Sequence, residues 1–178
     1  GARSAAACWL AMKRGCPPVL VHFDNDSFSG ETRLDTALDA ARVLFEWAVG
    51  FPRELHVIAN GLNIAEIVQK CPRELTSLVC KRLMLRIAER TAESEGAEGI
   101  VTGDVLGEGS THTINAFKIQ DTVSRIFPVH RPLLGFDTIE IENLTQKIGI
   151  HKTVAQEVGE SAVALKKLTL ASVEDVCL

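Results

Sequence analysis

The sequence predicts an α/β protein, a parallel sheet with helices on both faces. Three observations carry this. Short apolar runs rich in β-branched residues alternate along the chain with longer stretches whose apolar residues recur at helical spacing. The run "VLVHF" at 19–23 is continuous rather than alternating, which is how a strand covered on both faces reads. No linker, repeat or low-complexity segment divides the 178 residues, so 1–178 reads as one domain, long enough to bury a sizeable core.

The elements follow in order. Residues 4–14 read as a helix with an apolar face, and 19–23 as a buried strand. "DNDSFSGE" is a loop leading to a helix over 33–49, with Leu34, Leu38, Ala41 and Phe45 on one face. "RELHVIA" is a second strand. A short helix over 62–70 stops at the turn holding Pro72, and a long helix covers 75–94. "GAEGIVTGD" is a third strand ending in a glycine turn, and "EGSTHT" leads into a helix over 113–125. "IFPVHRPLLG" reads as strand and loop. "FDTIEIENLTQKIG" is a helix with Asp137 as N-cap and Gly149 as its stop. Beyond His151, "AQEVGESAVALKKL" suggests a helix and "LTLASVE" a short strand.

Composition removes several classes. A net charge of −4 and a pI near 5.8 exclude a chain that is basic as a whole, although Lys81, Arg82, Arg86 and Arg90 give one helix a local basic face. The bland alternative is a solvated face paired with Glu89 and Glu93. Five cysteines (Cys8, Cys16, Cys71, Cys80 and Cys177) form no CxxC pair, which speaks against a disulfide scaffold or zinc ribbon and for a reducing, cytoplasmic compartment. No stretch approaches the roughly 18 uninterrupted apolar residues of a membrane span, and the start lacks the pattern of a secretory signal.

Parallel α/β sheets bind ligands at the carboxyl ends of their strands. That selects His22 and Phe23, Gly103 and Asp104, and the loop after Pro128. The opening "GARS" precedes a helix. It suits either a phosphate cradle or an ordinary helix cap.

The ordered set "AMKRG", "VLVHF", "KRLMLRIAER", "VTGDVLGEGSTHT" and "HRPLLGFDTIEI", spread over residues 1–153, resembles the catalytic domain of the tRNA 4-thiouridine synthetase, or thiamine-biosynthesis sulfurtransferase, family. This family is one of the PP-loop ATP pyrophosphatases. The resemblance implies a PP-loop ATP-binding domain over 1–178 that lacks the family's first strand and its N-terminal RNA-binding modules, with 169–173 as a candidate filler of the missing strand. It implies an ATP-dependent tRNA uridine sulfurtransferase: ATP adenylates the uridine, sulfur then displaces AMP, and the product is 4-thiouridine, with sulfur transfer to the thiamine thiazole as a related task. The alternative is a degenerate, non-catalytic nucleotide- or RNA-associated module of the same family.

The family's loop SGGxDS places its second glycine at Gly1 and its last serine at Ser4, with Arg3 where the family has an acid. Other nucleotide-binding positions carry over to His22 and Phe23 for the base, to Lys81 where the family has Arg, to Gly103, and to His112 where the family has Gln. Arg82 and Arg131 are phosphate or RNA contacts by the same resemblance, a structural salt bridge being the alternative for Arg131. Asp104 and Glu108 could help hold Mg²⁺ or be plain loop acids. The implied cofactors are ATP and Mg²⁺. The implied partners are tRNA and a sulfur-donor protein, with a homodimer as one assembly, no membrane contact and no dedicated metal ligands. The family's sulfur-handling Cys has no counterpart in "HKTVAQEVGESA", and no residue is assigned a catalytic role.

Overall fold

A computed structural model describes residues 1–25, 32–107 and 109–150. The chain runs α1 (Ala2–Met12), β1 (Leu20–Asp24), α2 (Thr32–Trp47), β2 (Leu55–Ala59), α3 (Gly61–Lys70), α4 (Arg73–Ser94), β3 (Ile100–Val101), α5 (Ile114–Asp121), β4 (Val129–His130) and α6 (Thr138–Ile148). Helix and strand alternate, and the strands pair in parallel. β1 lies beside β2 with Leu20 opposite Leu55 and Phe23 opposite Ile58, and β3 lies beside β4 with Ile100 opposite Val129. The described strands therefore form two parallel pairs, β1–β2 and β3–β4.

This division explains two differences from the sequence reading. β1 was expected to be buried, yet each of its five residues is only half-buried, because a two-stranded ribbon has too few neighbours to cover both faces. The third and fourth strands contract to two residues each, extended slightly by Ile100 N–H to Pro128 O (2.9 Å) and Thr102 N–H to His130 O (3.0 Å). The proposed filler at 169–173, Glu108 and Cys177 lie outside the described residues.

α1 is the hub of the packing. Its alanines are strong helix formers, and their small side chains let neighbours approach from two sides. On one side Ala5 and Trp9 pack with Leu44 of α2 and with Ile148 and Ile150 at the end of α6. On the other, Ala6 and Ala7 pack with Val105, Leu133 and Ile141. Trp9 meets Trp47 edge to face at 5.7 Å, and the Trp47 indole N–H donates to Ile148 O at 3.2 Å, which ties α2 to α6. A third cluster joins Leu85 and Ala92 of α4 to Ile100 of β3.

The helix ends follow local chemistry where local chemistry is strong. Asp137 accepts from Glu140 N–H at 2.7 Å while Glu140 accepts from Asp137 N–H at 2.8 Å, a complete capping box. Gly149 ends α6 at φ +92°, the left-handed conformation that favours glycine. By contrast, α5 stops at Asp121 rather than 125. The reason is non-local: Glu89 of α4 accepts from the backbone N–H groups of Arg125 (2.6 Å) and Ile126 (2.8 Å) and holds that segment as a turn. Those bonds, Ile126's foremost, outweigh desolvation, and with the Ser124 hydroxyl they hold the Glu89 carboxyl below its ordinary value.

Candidate functional site

The site begins where β3 ends. Thr102 leaves the strand, and Gly103 passes directly beneath the first turn of α1. A Cβ on residue 103 would lie 2.5 Å from Ser4 N, 2.7 Å from the Arg3 carbonyl carbon and 2.9 Å from Ser4 Cα. Glycine is required here by the backbone of the chain itself. The contact brings Gly1, Ser4 and Gly103 together at a carboxyl strand end. Gly1 is the N-cap of α1 and offers no side chain, and both Gly1 and Ser4 are exposed, so the positive end of this helix is not blocked by a side-chain cap from Gly1.

Asp104, only 5% exposed, is the centre of the next layer. Its Oδ2 accepts from Thr102 Oγ1 at 2.8 Å and from Arg131 Nε at 3.3 Å. Its Oδ1 pairs with the Lys81 ammonium and lies 3.5 Å from His112 Nε2. Lys81 Nζ is itself 3.5 Å from His112 Nε2. Burial is the largest single influence on this carboxyl and opposes its charge. The charge and hydrogen bond of Lys81, the Thr102 hydroxyl and the charge of Arg131 together outweigh it and hold Asp104 below its ordinary value. Lys81, Asp104, His112 and Arg131 thus come from α4, the β3 end, the following loop and the β4 end to one point.

Arg131 is held from three directions. Its guanidinium donates to both carboxylate oxygens of Asp121 (3.0 and 2.5 Å), reaches Asp104, and stacks 4.5 Å from the Phe117 ring centroid. Its side chain is 6% exposed, the environment of a structural ion pair. The His112 ring stands edge to face with the same Phe117 at 6.3 Å. Arg82 donates to Ile119 O and to Thr122 Oγ1 (2.7 Å), which places its charge on the last carbonyls of α5. Thr113 caps α5, accepting from Ala116 N–H at 3.1 Å.

His22 and Phe23 were expected at a strand end, but they are the third and fourth residues of β1, opposite Val57 and Ile58, and Asp24 is the last residue of the strand. Beside them, buried Asn60 donates to Asn25 Oδ1 at 2.9 Å and accepts from Asn63 at 3.2 Å, firming the start of α3. Asp121, Thr102 and Phe117 were not singled out in the sequence. Their part depends on partners in other elements, and no local spacing advertises it.

The Asp104 carboxylate does not suit a divalent cation. Both oxygens already face protein donors, two of them cationic, and an ion placed there would meet Lys81 and Arg131 at close range.

Comparison with known proteins places the chain in a family. The family model described as thiamine biosynthesis protein (ThiI) matches residues 1–177. A "Probable tRNA sulfurtransferase" of Caldanaerobacter subterraneus is 34% identical over 152 residues, 85% of this chain and 39% of that protein. Another with the same description, from Methanothermobacter thermautotrophicus, is 35% identical over 178 residues, 99% of this chain and 45% of its own length. Among solved structures, one described as a 4-thiouridine synthetase–RNA complex with bound ATP superposes with a TM-score of 0.80 at 31% identity, over 89% of this chain and 41% of that one. The chain spans less than half the length of these relatives. With the family model matched from its first residue to its penultimate one, the chain belongs to the ThiI family.

Proposed function

We propose that this chain is the ATP-binding portion of an ATP-dependent tRNA uridine sulfurtransferase. The observation that supports this best is Gly103 packed against the first turn of α1, where Gly1 supplies no side-chain cap, next in sequence to the Asp104 carboxylate that holds Lys81, in a chain of this family. In this reading ATP phosphates lie against the backbone N–H groups of the α1 start, with Gly1 and Ser4 leaving room for them. Lys81 adds positive charge, His22 and Phe23 hold the base, and His112 contributes one hydrogen bond. Uridine O4 attacks the α-phosphorus, the bond to pyrophosphate breaks, and a sulfur nucleophile then adds at C4 and expels AMP. The chain's part is positioning and charge stabilisation.

Mg²⁺ would travel on the ATP phosphates; Asp104 is not its ligand in this proposal. tRNA, a sulfur-donor protein, a cytoplasmic setting and a homodimer complete the proposal. Among the described residues no helix is long and apolar enough to cross a membrane. Arg82 and Arg131 serve the frame around the site, because both guanidiniums are already engaged.

One specific feature favours the second reading, a member that no longer adenylates: Arg3 stands in the first turn of α1, where the family's loop has an acid. Thermal unfolding with and without Mg-ATP, beside a Lys81→Ala variant, separates the two. A rise in Tm that the variant loses supports nucleotide binding by mass action. No rise at millimolar ATP removes the first reading.

A further inference from the structure

The Lys81 ammonium sits at the end of a long, rotamer-rich side chain, and holding such a chain in one place has an entropic cost. Asp104 is placed to meet that cost. Its own geometry is fixed independently by Thr102 and Arg131 on Oδ2, so Oδ1 is a rigid acceptor facing Lys81 and His112. Asp104 also follows immediately on Gly103, whose contact with the Ser4 backbone locks this turn to the start of α1. The distance between the helix N-terminus and the Lys81 charge is therefore set through two adjacent residues, one by steric contact and the other by ion pairing.

We propose that Asp104 is a positioning residue for the nucleotide, aiming the Lys81 ammonium at the α1 N-terminus rather than binding a metal. This rests on the nucleotide-binding role given to Lys81 above. Arg131, Thr102 and His112 complete the group that faces Asp104, and Asp121 takes up part of the Arg131 charge from its far side, which leaves Lys81 as the closer ion-pair partner of Asp104. Replacing the carboxylate by its neutral isostere leaves the shape and frees Lys81 to swing into water.

The test is a double-mutant cycle on Mg-ATP affinity, read by calorimetry, over the unmodified chain, Asp104→Asn, Lys81→Ala and the combination. Asp104→Asn is expected to weaken ATP by about tenfold, the worth of one charge-assisted hydrogen bond. In the Lys81→Ala background the same change is expected to cost nothing further. A purely structural Asp104 would lower Tm while leaving affinity unchanged, or weaken ATP equally in both backgrounds, and either result overturns the proposal. Should Asp104→Asn fail to fold, Thr102→Val removes one of the bonds that orient the carboxylate. A loss of affinity that vanishes without Lys81 then supports the proposal, and an equal loss in both backgrounds refutes it. If the unmodified chain binds no ATP, the parent reading falls and this one with it. If it binds ATP and Asp104→Asn binds as tightly, only the positioning role fails.

Discussion

Gly103 lies so close to Ser4 that a methyl group on its Cα would sit 2.5 Å from the Ser4 backbone nitrogen. The neighbour is helix backbone, which cannot rotate aside. Gly103→Ala should therefore cost about 1–3 kcal/mol, as other overpacked sites do, by pushing α1 away from the β3 turn. Chemical denaturation checks this. A variant as stable as the parent would mean the turn relaxes freely.

Two arginines of the same region should behave differently. Arg131 is buried and holds two carboxylates, so Arg131→Ala should lose roughly 3–5 kcal/mol, much of it from stranding Asp104. Arg82 is partly open to solvent and serves the α5 carboxyl end, where Arg82→Ala should lose no more than about 1 kcal/mol. Urea melts of the two variants give the ordering, and equal losses would contradict it.

The Asp104 carboxyl is depressed in the folded protein below its ordinary 3.8. A depressed carboxyl stabilises the fold above its unfolded pKa, and that contribution disappears as pH falls through the folded value. The stability difference between the parent and Asp104→Asn should thus be full at neutral pH and close as pH drops below about 4. A difference that stays constant into acid would show that the charge is not what stabilises.

The thiols should react in an order set by burial. Burial pushes the Cys8 thiol up to about 11, whereas Cys16 is exposed. Burial, and then the neighbouring Cys71, also raises Cys80. Iodoacetamide at pH 8 followed by peptide mass mapping should find Cys16 modified well before Cys8. Early labelling of Cys8 would mean that α1 opens readily.

How much the sequence revealed depended on the range of the interaction. α6 was legible to the residue, because Asp137, Glu140 and Gly149 write both of its ends within one turn. α3 and α4 have no side-chain caps and were legible as two helices through the break at Pro72 between them. The end of α5 was not, since Glu89 decides it from 36 residues away. Nor was the division of the strands into two pairs, which is a matter of neighbours and not of local pattern. Within the site, the motif positions of Lys81, Gly103, Asp104, His112 and Arg131 were visible as separate residues. Their convergence on one carboxylate was not, because Lys81 and Arg131 reach Asp104 across 23 and 27 residues respectively.

The placement of α1 between two packing groups has a thermodynamic corollary. Ala5 and Trp9 belong to the group with α2 and α6, and Ala6 and Ala7 to the group built on Val105, Leu133 and Ile141. Successive residues of one helix thus hold two layers that share no described strand pairing. Whatever binds the first turn of α1 must slow opening of both layers together, so amide hydrogen exchange should gain protection in α2 and in the 104–106 turn at once, although neither need touch the ligand.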